Sequence, residues 1–278
     1  MNVVCSESIV LRNRDFKERD RLVTFLTRDK GKLTGIARGA RKPTARGVSV
    51  FEPFTCGTMY YVEKAGSELV AIRKCDPVPP YLLLRAGYEG LLLAGYCAEL
   101  MELTAIGGDD AALYHDLLRE SLLALAEGPA ELAAAQVRLS FDLRYLRLQG
   151  IQPDWARCVA CGRELFEPSA GGAVEDESAG APRLAQPGEH AFDVRLSGVR
   201  CPPCAPRDGG MPALSAGTLA WLAAWRRGAD ARVKPTRLAL SQLQAAVTQH
   251  LVRQLQRVPR SLSLLPDLRT RPACEGAP

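Results

Sequence analysis

Short segments of β-forming residues follow one another through the first 80 positions of the chain. Five of them are rich in valine, isoleucine, threonine and aromatic residues and are predicted to be strands: residues 8–12, 22–27, 33–37, 51–62 and 68–74. Between the second and third lies Asp29-Lys30-Gly31-Lys32, whose composition is typical of a tight turn, so these two strands should form a hairpin. A sandwich usually needs about seven strands, and five short ones therefore predict a small barrel.

From residue 81 onward the apolar residues recur every three or four positions, which is the spacing of one helix face. Three helices are predicted before residue 150, with breaks at Gly107-Gly108-Asp109-Asp110 and at Gly128-Pro129. Two more helices follow the cysteine-rich region. Ser215 is the expected cap of the first, and the second is predicted from Thr236 to Arg257. The leucine stripes of all these helices are interpreted as core.

One segment, residues 167–189, breaks the pattern because it is rich in alanine, glycine, proline, serine and acidic residues. It is predicted to be a disordered insertion without a function of its own. The expected domains are a barrel at residues 1–80, a helical domain built from 81–156 and 211–278, and a cysteine-bearing unit at 157–210. The fold class is therefore α+β multidomain.

The composition excludes two broad classes of protein. The chain has 278 residues, of which 47% are hydrophobic, and this apolar content excludes a wholly disordered chain. The longest uncharged run, residues 209–225, contains Pro, Ser, Thr and Gly and is shorter than the ~18–20 apolar residues of a membrane span. No membrane association is expected. The first residues lack the features of a signal peptide, and nine scattered cysteines indicate reduced thiols, so a cytoplasmic protein is expected.

The formal net charge of +5 is unevenly distributed along the chain. Residues 1–80 carry 15 basic against 9 acidic residues, and residues 211–278 carry 10 against 3, whereas the positions between them are net acidic. The highest density lies between Arg12 and Arg46, with 12 basic and 4 acidic residues. Such a field attracts polyanions and accelerates their encounter. A solvated charged face without a partner is the alternative interpretation.

Two Cys-x-x-Cys pairs, Cys158-Val-Ala-Cys161 and Cys201-Pro-Pro-Cys204, predict one structural Zn²⁺. Four thiolates complete a tetrahedral coordination sphere, so the ion would have no open position for catalysis. The 39 residues between the pairs exceed the usual spacing, but without the insertion the gap is close to that of an ordinary zinc ribbon. A redox disulfide and a chance neighbourhood remain as alternatives. The other cysteines are interpreted as buried apolar residues, apart from Cys274: Cys5, Cys56, Cys75 and Cys97.

Aromatic residues share the predicted barrel with the basic run: Phe16, Phe25, Phe51, Phe54, Tyr60 and Tyr61. Five-stranded barrels bind single strands through a positive groove and aromatic stacking, but at least half of these rings must fill the core. Tyr60 and Tyr61 are neighbours on one strand, so one of the two should lie outside the barrel. No phosphate loop, His-Glu-x-x-His or nucleophile-elbow motif is present, and no catalytic residue is predicted.

Several motifs, in their order along the chain, resemble the bacterial recombination mediator family RecO. The similar segments are Ile9-Val10-Leu11-Arg12, residues 20–27, Gly31-Lys32-Leu33, residues 37–42, Phe51-Glu52-Pro53, Gly150-Ile151-Gln152-Pro153, the two cysteine pairs and Phe192-Asp193. The resemblance covers residues 3 to 260. It implies an N-terminal OB-fold, a central helical domain and a zinc knuckle that supports folding.

The resemblance also implies a function in DNA repair by homologous recombination. Members of the family bind single- and double-stranded DNA without sequence preference, anneal complementary strands, and act with RecR to load RecA onto strands covered by single-strand binding protein. A location at the nucleoid follows from these roles, and neither a membrane nor a small-molecule substrate is expected.

The basic residues of the barrel are the expected contacts to DNA phosphates. They are Arg12, Arg14, Lys30, Lys32, Arg38, Arg41, Lys42 and Arg46. The basic residues between 226 and 260 either extend that path or bind an acidic protein tail. Two other classes remain: a zinc-containing interaction scaffold whose basic face binds an acidic protein, and a zinc hydrolase or nuclease, which the four cysteines disfavour.

Overall fold

The computed structural model describes residues 2–41, 49–63, 65–78, 87–104, 106–127, 131–167, 183–206, 209–229 and 234–265. The strands are β1 (Val4–Phe16), β2 (Asp20–Thr27), β3 (Gly31–Ala37), β4 (Cys56–Val62), β5 (Leu69–Pro77), β6 (Asp154–Cys158), β7 (His190–Asp193), β8 (Gly198–Arg200) and β9 (Ala213–Leu214). The helices are α1 (Gly87–Leu103), α2 (Ala111–Ala126), α3 (Glu131–Leu148), α4 (Ala216–Ala224) and α5 (Arg237–Leu255). Among these described helices, none has the length and apolar character that crossing a membrane requires.

The chain divides into two compact units. The first, called the barrel unit, contains the described residues of Met1–Leu148 together with Pro259–Leu265, and the second, called the cysteine unit, contains those of Gln149–Val258. The helices α4 and α5 thus belong with the cysteine sheet, whereas residues 81–156 and 211–278 were expected to form one helical domain. An amphipathic pattern identifies the buried face of a helix but not the element that covers it, and this explains the difference.

Strands β1 to β5 close into a barrel in the order β1-β2-β3-β5-β4, with β1 also paired to β4. The pair β3–β5 is parallel and the other neighbours are antiparallel, which is the arrangement of an OB-fold. All five predicted strands are present, and the hairpin of β2 and β3 is confirmed. The barrel and its OB-like topology therefore follow the expectation from the sequence.

The barrel core is built from alternate residues of these strands. Val23, Phe25, Met59 and Tyr61 are fully buried in it, and the rings of Phe25 and Tyr61 meet edge to face with centroids 5.8 Å apart. Tyr60 points to the opposite side, where the Nζ of a lysine on β5 lies 5.5 Å from its ring. The structure thus confirms that one of the two neighbouring tyrosines lies outside the barrel and identifies it as Tyr60.

The helices α1, α2 and α3 pack against one another, and α2 also packs against β1, β2 and β3. The turn between β2 and β3 lies against the chain that leaves α1. Gly31 has φ +79°, and the amide of Lys32 donates to the carbonyl oxygen of Ile106 at 3.1 Å. The Lys32 ammonium donates to the carbonyl oxygens of Glu102 and Thr104, where a helix end leaves acceptors unpaired. The amide and the ammonium of Lys32 thereby join the barrel to the backbone at the end of α1.

In the cysteine unit, four strands form a sheet in the order β6-β8-β7-β9. The ring of Trp155 stacks on Phe192 with centroids 5.3 Å apart, and His250 of α5 meets Phe192 edge to face. Ser215 caps α4 by accepting from the amide of Thr218 at 3.2 Å, as the sequence predicted. Together these contacts hold α4 and α5 on the sheet that carries the cysteines.

The predicted insertion, residues 167–189, is ordered at its two flanks. The amide of Glu167 donates to the carbonyl oxygen of Arg183, and that of Ala185 donates to Leu165, both at 2.9 Å. The prediction of disorder was therefore wrong for these flanks, because Leu184 pairs with Phe166 across a short ladder that composition alone does not reveal. Residues 168–182 lie outside the described residues.

Candidate metal centre and nucleic-acid interface

The structure brings both cysteine pairs together. The sulfurs of Cys158, Cys161, Cys201 and Cys204 all lie within 4.8 Å of one another, and those of Cys161 and Cys201 are 3.8 Å apart. A tetrahedral ion with four Zn–S bonds of ~2.3 Å separates its sulfurs by about 3.8 Å. The four donors thus fit a single tetrahedral metal ion, as the spacing of the two pairs predicted.

Each pair is positioned by a backbone turn. Cys158 ends β6, and the amide of Gly162 (φ +75°) donates back to its carbonyl oxygen at 2.8 Å. The amide of Cys204 donates to the carbonyl oxygen of Cys201 at 2.9 Å in the second turn. The Cys201 amide also donates to the sulfur of Cys158 at 3.3 Å, which is the outer-shell contact that stabilises a thiolate ligand.

The surroundings of Cys158 and Cys204 shift the pKa values of these two thiols in opposite directions. Burial raises the pKa of Cys158, but backbone hydrogen bonds from Cys201, Ala160 and Cys161 outweigh it and lower that pKa to about 6. In contrast, hydrogen bonds with Cys201 and Cys161 raise the pKa of Cys204 to about 12. The Cys158 thiol therefore ionises readily near neutral pH, whereas the Cys204 thiol keeps its proton in these hydrogen bonds. A divalent cation replaces such protons when thiols become ligands, and the four-cysteine cluster can hold a metal ion because its sulfurs converge on one point.

The other cysteines of the described ranges, Cys5, Cys56, Cys75 and Cys97, have no such grouping. Cys75 and Cys97 are buried, as expected, but Cys5 is exposed at the start of β1, so its predicted burial was wrong. The strand pattern did not identify which face of this first strand segment is covered. Burial raises the pKa of Cys56 and of Cys75 to about 11, which leaves both thiols protonated and unreactive at neutral pH. Cys274 lies outside the described residues.

The outer face of β1, β2 and β3 is divided into rows by the strand register. Because Val23, Phe25 and Ala37 face the core, the alternate positions face outward. One outward row contains Leu26 and Lys32, where Leu26 is fully buried and Lys32 bonds the end of α1. Helix α2 packs against all three strands, so helices occupy this part of the barrel surface.

Further along the strands, the rows become basic and more exposed. Arg12 aligns with Thr24 and Thr34, the next row holds Arg14 with Leu22 and Ile36, and the last aligns Phe16 with Asp20. Arg38 is exposed directly after β3, where the Gly39 amide bonds the Asp20 carboxylate at 3.0 Å. The Lys17 ammonium lies 5.5 Å from the half-buried ring of Phe16. We call Arg14, Phe16, Lys17 and Arg38 the distal face of the barrel.

Several of the predicted DNA-binding cations have partners within the protein. Arg12 pairs with Glu102 at 3.0 Å, and Lys30 pairs with Glu63 at 2.6 Å. The guanidinium of Arg41 lies 3.2 Å from the Asp15 carboxylate and donates to the carbonyl oxygens of Lys17 and Glu18. These three side chains are still partly exposed, but an incoming phosphate would have to compete with a carboxylate.

Lys32 has a different position from the other predicted cations. Its ammonium is half-buried against the C-terminal carbonyl oxygens of α1, and burial lowers its pKa. This side chain joins the barrel to the helices and does not face an open surface.

Arg14 and Arg38 are exposed and, among the described residues, have no carboxylate partner. Lys42 and Arg46 lie outside the described residues. The structure adds Lys17 to the set that was predicted, because the turn between β1 and β2 places it against Phe16. The neighbouring residues Phe16-Lys17 are a basic and aromatic pair that the sequence already displays, and the strand register shows that they share an end of the barrel with Arg38.

Two family models match successive parts of the chain. Residues 1–81 match the family model described as Recombination protein O N terminal, and residues 85–263 match Recombination protein O C terminal. The DNA repair protein RecO of Anaeromyxobacter sp. (strain Fw109-5) is 34% identical over 254 residues, which cover 89% of this chain and 91% of that protein. The DNA repair protein RecO of Desulforudis audaxviator (strain MP104C) is 33% identical over 270 residues, which cover 94% and 95% respectively.

Proposed function

The chain belongs to the RecO family of DNA repair proteins, and we propose that it is a recombination mediator that acts by binding DNA and not by catalysis. In this role it binds single and double strands without reading sequence, anneals complementary strands, and acts with RecR to load RecA onto DNA covered by single-strand binding protein. Its site of action is the nucleoid. Membership of the family places the protein in DNA repair.

The observation that carries the proposal is the distal face. Arg14 and Arg38 present guanidinium groups that no described carboxylate neutralises, and Phe16 and Lys17 lie at the same end of the barrel. Cations supply phosphate contacts, and an aromatic ring supplies a stacking surface for an unpaired base. An OB-fold binds oligonucleotides on this side of its sheet, around strands β2 and β3 and the β1–β2 loop.

Such a surface suits strand annealing. Two strands approach each other only when the repulsion between their phosphates is reduced, and guanidinium groups reduce it without recognising bases. The same contacts release counterions, so affinity falls as salt rises. The surface therefore provides weak and general binding, from which a second protein can remove the strand.

We assign the four cysteines to one structural Zn²⁺. Four sulfurs fill the coordination sphere, so the ion would offer no position for water or substrate and its contribution would be to fold the cysteine unit. A hydrolase or nuclease would need an open metal position, and the closed donor set speaks against that class.

Strand annealing on DNA covered by single-strand binding protein, with and without RecR, tests the mediator role. The variant Arg14→Glu/Arg38→Glu should lower annealing, and the slope of log affinity against log salt for homopolymeric single strands should decrease by about 1.4, since each phosphate contact contributes about 0.7. Lys74→Glu is the matched control, because Lys74 lies on the same barrel but is bound by Asp76 at 2.7 Å.

Two results would contradict the proposal. If the wild-type protein accelerates annealing under no salt condition, the mediator role is wrong. If Arg14→Glu/Arg38→Glu keeps its DNA affinity but no longer binds an acidic protein partner, the basic face belongs to an interaction scaffold instead.

A further inference from the structure

The described parts of α4, α5 and the chain around them contain no carboxylate. Between residues 209 and 265 the sequence has eight basic residues and a single acidic one, Asp230, which lies outside the described residues. Arg226 and Arg227 follow α4, Lys234 precedes α5, and Arg253 and Arg257 are at its end. These five side chains are all exposed.

This surface differs from the barrel in how its charges are compensated. On the barrel, Arg12, Arg21, Arg28, Lys30 and Arg41 each lie within 4.0 Å of a carboxylate. For Arg226, Arg227, Lys234, Arg253 and Arg257 no carboxylate within that distance occurs in the part of the chain that the structure describes. Five exposed cations without a carboxylate partner among the described residues therefore lie in the cysteine unit.

Helix α5 provides a neutral face between its cationic ends. Its buried side carries Leu240, Leu243, Val247 and Leu251, which pack inside the unit. Its more exposed side carries residues that are spaced three or four positions apart: Leu238, Ser241, Ala245, Gln249 and Arg253. With 19 residues the helix is about 28 Å long, so positive charge at its two ends is separated by that distance.

We propose that this face, together with Arg226 and Arg227, binds a DNA strand through its phosphates and is a second strand-binding surface besides the distal face of the barrel. The proposal rests on the mediator function proposed above. A strand carries a phosphate at every nucleotide, so a stretch of several nucleotides spans the helix and reaches the cations at both ends. The half-buried ring of Trp225, adjacent to Arg226, offers an unpaired base a stacking surface.

The separation of the charges favours DNA over an acidic peptide tail. A tail with a short cluster of carboxylates would satisfy one end of α5, whereas an extended polyanion satisfies both. The residues between the ends, such as Ser241 and Gln249, are neutral hydrogen-bonding side chains of the kind that contact phosphate oxygens without recognising sequence.

A second surface explains how one protein brings two strands together. With one strand held by each unit, the phosphates of both are neutralised at once, and annealing becomes a reaction between strands bound to the same molecule. A variant of the cysteine unit should therefore affect annealing more strongly than it affects the binding of one strand.

The test uses the full-length chain with Arg253→Glu/Arg257→Glu and, separately, Arg226→Glu/Arg227→Glu. Annealing should fall about tenfold in either variant, while the salt slope for a single labelled strand decreases by no more than about 1.4, because two phosphate contacts are removed. Arg157→Glu is the matched control in the same unit, since Arg157 is already paired with Glu164 at 2.7 Å. An unchanged tryptophan emission spectrum verifies the fold, and a variant that fails this check is replaced by its glutamine counterpart, Arg253→Gln/Arg257→Gln or Arg226→Gln/Arg227→Gln.

The outcomes separate this inference from the function on which it rests. Normal annealing by both cysteine-unit variants, together with a loss in Arg14→Glu/Arg38→Glu, overturns the second surface and leaves the mediator role in place. A loss of binding to an acidic peptide with unchanged annealing would assign the surface to a protein partner and also overturn it. If every variant and the wild type fail to anneal, the proposed function itself is wrong.

Discussion

Replacing Gly31 by alanine should separate the barrel from the helices that pack on it. A Cβ at this position would lie 2.3 Å from the carbonyl oxygen of Ile106 and 2.8 Å from the Cα of Gly107, and both are backbone atoms. The residue also has φ +79°, a conformation that an L-residue adopts only with strain. The β2–β3 turn would therefore have to move away from the chain that follows α1.

The magnitude can be worked out from the contacts that would be lost. The left-handed backbone conformation costs an alanine ~1–2 kcal/mol. Displacing the turn also weakens the hydrogen bond from the Lys32 amide to Ile106, which contributes about 1 kcal/mol, and the bonds of the Lys32 ammonium, which contribute ~1.5–3 kcal/mol. We expect Gly31→Ala to lower the free energy of unfolding of the barrel unit by about 3–6 kcal/mol.

Gly66 is the matched control. Its φ of +75° is almost the same, but an added Cβ would meet no atom within 4 Å, so Gly66→Ala measures the backbone strain alone. The difference between the two variants, ~2–4 kcal/mol, isolates the close approach of the turn to Ile106. It corresponds to a difference of about 5–15 °C in the midpoint of thermal unfolding for a unit of this size.

The two units can be observed separately. All three tryptophans, Trp155, Trp221 and Trp225, lie in the cysteine unit, so tryptophan emission follows that unit while far-ultraviolet circular dichroism follows both. Gly31→Ala should shift the dichroism transition and leave the tryptophan transition in place. Equal destabilisation by Gly31→Ala and Gly66→Ala would refute the reasoning, because the contact with Ile106 would then contribute nothing.

Three further predictions concern single interactions. Burial raises the pKa of Asp142 to about 6 in the folded barrel unit. Since folding then stabilises the protonated carboxyl, the free energy of unfolding should decrease as pH rises from about 4 to 6. Urea titrations at several pH values should show this decrease, and Asp142→Asn/Arg138→Met should lack it. Treatment with a chelator, or Cys158→Ser, should unfold the cysteine unit and red-shift the emission of Trp155. If the tyrosine dichroism of the barrel unit is lost at the same chelator concentration, a metal role confined to the cysteine unit is contradicted. Lys32→Met should lower the stability of the barrel unit without changing the salt slope of DNA binding, whereas Arg38→Ala should reduce the slope by about 0.7 and leave stability unchanged.

Local signals in the sequence were sufficient to predict the strands, the helices and the four-cysteine cluster. The period of two in β1 to β5 and the period of three to four in α1 to α5 arise from the backbone geometry of each element, so they are visible without knowledge of the fold. Similarly, the two-residue spacing in each cysteine pair directs both thiols to one point.

The pairing of charges was not predictable in the same way. Arg12 pairs with the carboxylate of Glu102, and Lys32 donates to the carbonyl oxygens of Glu102 and Thr104. These partners are separated by 70 to 90 positions in the sequence. Only the packing of α1 on the barrel brings them together. The sequence also gave no reason to expect a buried carboxylate in α3, although the spacing of Arg138 and Asp142, four residues apart, was compatible with the ion pair that the structure contains.

These pairings change how the nucleic-acid interface is interpreted. A count of lysines and arginines places the interface on the barrel, where the sequence is most densely basic between Arg12 and Arg46. Carboxylates and helix ends satisfy most of the described cations of that run, and the exposed ones without an acidic partner lie at one end of the barrel, on the distal face and in the adjoining β1–β2 turn. The surface of Arg226, Arg227, Lys234, Arg253 and Arg257 has fewer cations, and none of these five lies within 4.0 Å of a described carboxylate. Since a phosphate gains most from a cation that has no competing anion, the sparser surface can contribute as much binding free energy as the denser one.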